Sequence, residues 1–390
     1  VRVLVAHNRY LEAGGEDVVV ASEVQLMRDL GWEVELYQTS NTRIAELGQM
    51  RAGLRVSWSP EAAREVGERL EAGGHQLLHV HNWFPLLSPA IHWVATRRRI
   101  PVVQTLHNYR LTCLAASLAR GGKRCTDCVG KRVFWPGVLH ACYRSSLRAS
   151  VALGGALALH RVLGTWRRKV SLFVALSEYS RRLFVLSGLP AERIVIKPNF
   201  VDRDHGPGGE KRRFALFAGR LTPGKGVLQL LAAWRGVELP LRVVGEGASA
   251  AEVRAAAQRS ATIEWLGRVS REELFGLMGE AAFVVVPSLN AEGCPLVVLE
   301  AFSRGTPVIA TSGGALEDVV IDGQNGRLVP SGDVDALAAA IRELAGDPEK
   351  ARRLGRGARR AFETRYSPEI NRRMLEAIYR RALAAPGGVE

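Results

Sequence analysis

Short apolar runs alternate along this chain with longer segments in which apolar positions recur at helical spacing. In the first half the runs fall at Val1–Ala6, Trp32–Tyr37, Gln76–Asn82, Val102–His107, Leu172–Ser177 and Ile194–Asn199. In the second they fall at Phe214–Gly219, Leu241–Gly245, Thr262–Gly267, Phe283–Pro287, Pro307–Thr311 and Gly326–Pro330. Parallel strands need helical crossovers between them, and this alternation supplies one after nearly every run. The pattern predicts an α/β protein with two doubly wound, Rossmann-like domains. Between the halves lies Val201–Arg213, polar and rich in Gly and Pro, a linker by composition. We therefore expect a first domain over 1–204, a second over 205–366, and a last helix within 367–390 that runs from Ser367 to about Ala385.

Composition agrees. At 390 residues the chain exceeds a single core, and 47% hydrophobic with 24% charged residues is ordinary for a globular protein. No apolar run approaches the roughly 18–20 residues of a membrane span. A strand begins at Val1 with no signal-like segment before it, so a cytoplasmic location is expected.

The densest chemistry lies in Glu292-Gly293-Cys294-Pro295-Leu296-Val-Val-Leu-Glu300, after the Phe283–Pro287 run. Pro295 suits a first helical turn, because its missing N–H costs nothing there. Glu292 then lies in a loop at a strand end and Glu300 about one and a half turns into the helix. Between them a helix N-terminus can receive an anion. Two carboxylates beside a phosphate site suit a nucleotide sugar, each accepting hydroxyl protons, although acids near a helix start also occur for electrostatic reasons alone. Upstream, Gly219-Arg220-Leu-Thr-Pro-Gly-Lys225-Gly226 sets two cations around a strand-to-helix turn. Arg grips phosphate oxygens bidentately, and Lys acts as a point charge. Downstream, Gly305-Thr-Pro-Val-Ile-Ala-Thr-Ser-Gly313-Gly314 is a strand ending in a glycine pair.

In this order the three motifs resemble the donor-site pattern of family 4 retaining glycosyltransferases of the GT-B fold, and the resemblance covers essentially the whole chain. It implies two Rossmann-like domains facing a cleft, the last helix crossing back to the first domain. It also implies a nucleotide-diphosphate sugar donor held by Arg220, Lys225, Glu292, Gly293, Cys294, Pro295, Leu296 and Glu300. Glu300 is expected on the ribose and Glu292 on the sugar. At Cys294 many relatives carry an aromatic residue, so this cysteine reads as packing.

The first-half strand ends also carry polar residues. They are His7-Asn8, then Gly14-Gly15-Glu16-Asp17 opening a helix, His79-Val-His81-Asn82, and His107-Asn108. Ligands of doubly wound sheets bind outside such ends, and several histidines there favour a functional over a structural role. The resemblance implies that Gly14 and Gly15 face the donor and that His107 contacts the transferred sugar. His81 and Asn82 are expected on the acceptor side.

Four of the five cysteines share one window, Cys113, Cys125, Cys128 and Cys142, inside a polar insertion over 108–146. The C-x2-C pair is a usual zinc knuckle, and four thiolates would close a structural zinc site. Buried thiols and a redox pair are the alternatives. No Asp-x-Asp motif stands at a strand end, so no catalytic metal is expected.

The net charge of +14 is uneven. Residues 1–96 hold 8 Lys and Arg against 12 Asp and Glu, residues 97–200 hold 19 against 3, and the rest hold 26 against 24. The basic block contains Arg97-Arg98-Arg99, Lys123-Arg124, Lys131-Arg132 and Trp166-Arg167-Arg168-Lys169, beside an uncharged stretch, Ala149–Leu159. An anionic membrane surface or a lipid-phosphate acceptor would be drawn to it. Without a nucleic-acid-binding motif, nucleic acid is not expected as a partner. A solvated surface with no partner is the bland alternative.

The expected function is transfer of a sugar to a cell-envelope or polysaccharide acceptor, lipid-linked acceptors included, at the inner membrane face. A non-catalytic nucleotide-sugar-binding scaffold and a GT-B epimerase or phosphorylase are the rivals.

Overall fold

The structure is a computed structural model and describes residues 1–11, 14–44, 53, 55–209 and 214–384. Residues 210–213 of the expected linker and the end of the last helix at Ala385 lie outside these. All twelve expected strands form. The chain divides into two compact units, the first of residues 1–118, 126–198 and 372–390, the second of residues 119–125 and 199–371.

The first unit holds a six-stranded parallel sheet of β1 (Arg2–Arg9), β2 (Glu33–Ser40), β3 (Leu77–Asn82), β4 (Val102–Leu106), β7 (Leu172–Ala175) and β8 (Ile194–Ile196). Their order is β2-β1-β3-β4-β7-β8. β3 and β4 are buried throughout, which is why both read as apolar runs despite their polar ends. The final helix, Pro368–Ala384, belongs to this unit from Arg372 onward. Leu375, Ile378, Tyr379 and Ala382 join one core with Val3, Val5, Val20, Val24 and Val103.

The second unit holds β9 (Ala215–Ala218), β10 (Leu241–Val244), β11 (Ile263–Gly267), β12 (Phe283–Val286), β13 (Val308–Thr311) and β14 (Gly326–Val329), all parallel. The order β11-β10-β9-β12-β13-β14 is that of a dinucleotide-binding Rossmann sheet. A two-stranded antiparallel hairpin, β5 (Ala119–Arg120) with β6 (Lys123–Arg124), was not predicted; its strands are too short to leave a pattern.

The units part at Pro198/Asn199, earlier than the polar linker suggests. Val201 N–H bonds Tyr366 O at 3.3 Å and the Asn199 amide donates to Cys294 O at 2.7 Å, so the chain is already committed to the second unit there.

Candidate functional site

In the second unit the three motifs lie far apart in sequence but follow β9, β12 and β13, which are sheet neighbours. All three loops leave the same carboxyl edge. The first two straddle the strand-order reversal between β9 and β12, the crevice where doubly wound sheets bind ligands.

The turn after β9 runs through Arg220 into a short 3₁₀ turn, Pro223–Lys225. Gly226 ends it at φ 73°, and a Cβ there would lie 1.9 Å from Pro287 O. Only glycine fits. Leu289 N–H bonds Gly224 O at 2.9 Å, which ties this turn to the loop after β12. Across the junction Lys225 Nζ donates to Glu292 Oε1 at 2.7 Å, and Ser288 Oγ donates to the same oxygen at 2.7 Å. Burial pushes the Glu292 pKa up, but Lys225, Ser288 and Arg220 together outweigh it and hold the carboxyl below its usual range.

Pro295 is the N-cap of the helix Leu296–Ser303, with extended backbone, one position earlier than the first turn expected for it. Cys294 is buried and its carbonyl accepts the Asn199 amide, in keeping with a packing role. Glu300 sits in that helix, only 7% exposed. Burial raises its pKa to about 7, against the pull of Arg271, whose Nε lies 3.8 Å away, and Asp202 adds to the rise. Arg271 is also held bidentately by Asp202 at 2.7 and 2.8 Å. Neither residue was singled out from sequence, because no motif contains them. After β13, Thr311 Oγ1 donates to Ser288 O at 2.6 Å and Gly313 N–H is accepted by Glu317. Within this unit, a Cβ at Gly313 or Gly314 would also crowd the Arg124 guanidinium, at 2.8 and 2.7 Å.

In the first unit Gly14 caps the helix Gly15–Asp29, its N–H held by Asp17 Oδ2 at 2.9 Å, and a Cβ at Gly14 would meet open space. Backbone strain therefore does not demand glycine there. His7 Nε2 lies 2.9 Å from Asp17 Oδ1. Glu16, given no role from sequence, has its pKa raised to about 8 by burial and by Asp17. Asn82 donates to Asn8 O at 2.7 Å and accepts from Phe84 N–H at 3.0 Å, so its amide orders the loops after β1 and β3. His107 and His81 both line a cavity with Asn82, Phe84, Asn108 and Arg110. The His81 ring is fully buried and nearly coplanar with that of His107, end to end with it, its Nδ1 2.9 Å from His107 Nε2.

Cys113 and Cys128 are buried, Cys125 and Cys142 partly so. Among the described residues, the one group of three side chains with ligand atoms drawn together is Glu23, His79 and His81, not the cysteines. Trp166 is buried, tilted against Trp83 and edge-on to His92, and presents no ring beside Arg167 and Arg168.

Two parallel Rossmann-like sheets are the architecture of GT-B proteins, and solved structures similar to this chain share it. A family model described as Glycosyltransferase Family 4 matches residues 13–205, and one described as Glycosyl transferases group 1 matches residues 201–361. Between them they span both units, and the chain belongs to the family 4 glycosyltransferases. It is 34% identical over 158 residues to an uncharacterized glycosyltransferase of Methanocaldococcus jannaschii, a stretch that is 40% of this chain and 44% of that protein. The chain thus spans under half the length of that relative. It is 24% identical to the phosphatidyl-myo-inositol mannosyltransferase of Mycolicibacterium smegmatis, covering 84% of this chain and 80% of that one. The Anabaena protein HepE, solved with UDP-glucose, shares the fold with a TM-score of 0.66 at 18% identity, over 97% of this chain and 99% of that one.

Proposed function

We propose that the chain is a retaining glycosyltransferase that moves a sugar from a nucleotide-diphosphate donor to a cell-envelope or polysaccharide acceptor, lipid-linked acceptors included. The observation that carries this is the meeting of Arg220 and Lys225, from the turn after β9, with Glu292, from the loop after its sheet neighbour β12, while Glu300 stands on the helix that this second loop opens. Arg220 and Lys225 neutralise the diphosphate as negative charge grows on it. Glu300 accepts ribose hydroxyls, and Glu292, kept ionised by Lys225, accepts hydroxyls of the sugar. His107 contacts the transferred sugar. The acceptor oxygen bonds to the anomeric carbon on the face from which the diphosphate oxygen departs. The acceptor proton passes to that oxygen, so configuration is kept and a nucleoside diphosphate leaves. No side chain of this chain serves as a covalent nucleophile in this scheme, and no catalytic metal is invoked.

The HepE complex with UDP-glucose and the lipid acceptor in the mannosyltransferase's name support a nucleotide sugar on one side and a lipid-linked acceptor on the other. A peripheral membrane position is supported by the first unit's surface. The helix Leu147–Val162 leaves Leu147, Val151, Leu159 and Val162 exposed, and the neighbouring helix Trp135–Leu139 exposes Trp135 and Leu139. Basic Arg144, Arg148, Arg167 and Arg168, all exposed, lie in the same part of the chain. No helix of the described residues is long and apolar enough to cross a membrane. A structural zinc on Cys113, Cys125, Cys128 and Cys142 remains part of this reading.

The test is donor consumption. Purified protein given a panel of nucleotide-diphosphate sugars should be stabilised by its own donor through mass action, and should release the nucleoside diphosphate only when acceptor or water takes the sugar. Binding without any turnover, with every acceptor class tried, would favour a scaffold.

A further inference from the structure

Beneath His107 lies a buried chain of polar side chains that the transfer scheme does not use. Lys197 ion-pairs with Glu23 Oε1, with neither side chain more than 1% exposed. The other oxygen, Glu23 Oε2, lies 3.6 Å from His81 Nε2, and neither of these two buried atoms has a hydrogen-bond partner among the described residues. His81 Nδ1 then meets His107 Nε2 at 2.9 Å. All of these residues belong to the first unit.

The group resembles a metal site, since Glu23, His79 and His81 approach closely. Its bonding opposes that reading. His79 uses both ring nitrogens, Nδ1 on Tyr379 Oη at 2.6 Å and Nε2 on Thr105 Oγ1 at 2.8 Å. The carboxylate already carries an ammonium, and a second cation beside it would be repelled.

Proton placement follows from charge. Burial, reinforced by neighbouring histidines and Lys197, holds His81 and His107 well below the ordinary histidine range, so each ring is neutral with one N–H and one lone pair. At 3.6 Å a hydrogen on His81 Nε2 is attracted to the Glu23 carboxylate, whereas a bare lone pair would be repelled. His81 therefore carries its proton on Nε2 and offers Nδ1 as an acceptor. His107 must then donate from Nε2, which leaves its Nδ1 as a lone pair on a ring that lines the cavity.

We infer that Glu23 and His81 are positioning residues that fix His107 as the Nε2–H tautomer, making its Nδ1 an acceptor for a sugar hydroxyl. The role of that hydroxyl rests on the function proposed above; the tautomer does not. An Nδ1 that accepts selects a sugar with a hydroxyl in that place and disfavours one lacking it, whose loss leaves the ring unpaired.

The experiment reads the tautomer directly. The full chain labelled with 15N-histidine is recorded by long-range 1H–15N correlation, with His107 assigned from its absence in His107→Gln. The expected result is a protonated Nε2 and a bare Nδ1 on His107. In the double variant Glu23→Leu/Lys197→Met, which removes the buried pair together and so leaves no lone charge, His107 should populate both tautomers. Its kcat should fall about tenfold or more, while nucleoside diphosphate affinity stays within about twofold. A proton on Nδ1 of wild-type His107 overturns the inference without any variant, as does a double variant that folds and keeps the wild-type tautomer. The expected tautomer in a protein that transfers no sugar would support the hydrogen-bond chain and count instead against the proposed function.

Discussion

Lys225 Nζ donates to Glu292 Oε1 across 2.7 Å, so the turn after β9 and the loop after β12 are joined by an ion pair at the reversal of strand order. The cation proposed for phosphate is thus also the partner of the carboxylate proposed for the sugar.

Replacing Lys225 by Ala should do two things at once. Glu292 loses the partner that keeps its pKa low, at a cost of about 2 kcal/mol in urea unfolding, less than for a fully buried pair. Transfer should fall much further than this, because the diphosphate loses its point charge. Joint replacement of Arg220 and Lys225 by Ala should abolish turnover while the unit still folds. Normal turnover in that variant would mean the phosphate site lies elsewhere.

Glu300 gives a pH signature with a definite sign. Its folded pKa, about 7, lies above the ordinary 4.5, so its contribution favours the fold below about pH 4.5 and is lost as pH rises through 7. Glu300→Gln should match wild type in stability near pH 4 and exceed it by about 3 kcal/mol at pH 8, from 1.36 kcal/mol per pKa unit. Urea titrations of both proteins across that range check this. A constant difference between them would exclude the buried ionisation.

Nucleotide binding should follow the same group in the opposite sense. In the role proposed for it, an ionised Glu300 accepts ribose hydroxyls more strongly, so affinity should rise as pH passes through about 7. Glu300→Ala should lose roughly 1.5–3 kcal/mol of binding, the range for hydrogen bonds to a charged group. Calorimetry with nucleoside diphosphates at pH 6 and 8 measures both.

Chelator-free protein should contain about one zinc per chain, and Cys125→Ser should lose it and loosen residues 113–142 without affecting nucleotide binding. Elemental analysis without zinc would return these cysteines to packing roles.

Vesicle binding should need both charge and the exposed apolar residues. Neutralising Arg167, Arg168 and Lys169 should weaken co-sedimentation with anionic vesicles, at about 1 kcal/mol per residue that reaches the surface. Lys169 Nζ lies 4.7 Å from the Trp93 ring centroid, so its share should be the smallest of the three. Val151→Asp and Val162→Asp should weaken binding at every salt concentration, whereas the charge effect should fade with salt. Equal binding to neutral vesicles would leave the basic residues without a part in docking, and no binding to either kind would point to a soluble acceptor.

The inner strands were readable because parallel strands covered on both faces become apolar runs, the partly exposed edge strands β2 and β11 because apolar residues alternate with acids in them, and the donor motifs because each closes a strand. What escaped depends on distant pairing. Asp202 and Arg271 meet across 69 residues, and Glu23 sits in a helix whose sequence gives no sign that this one acid is sealed against Lys197 and His81. Trp166 stands beside three cations in sequence, yet a tryptophan next to charge can still turn inward, and this one does. The β5–β6 hairpin has only two residues per strand, below any periodicity.

The helix Pro368–Ala384 places Leu375, Ile378, Tyr379 and Ala382 in the same core as Val3 and Val5 of β1. During synthesis, therefore, the first unit to emerge from the ribosome is the last able to finish. Its opening strands wait with part of their apolar face uncovered until the final helix clears the exit tunnel, whereas residues 199–371 can assemble their own core beforehand. A chain truncated before Arg372 and released from the ribosome would carry the whole core of the second unit but an unfinished first one, with apolar surface for a chaperone to hold.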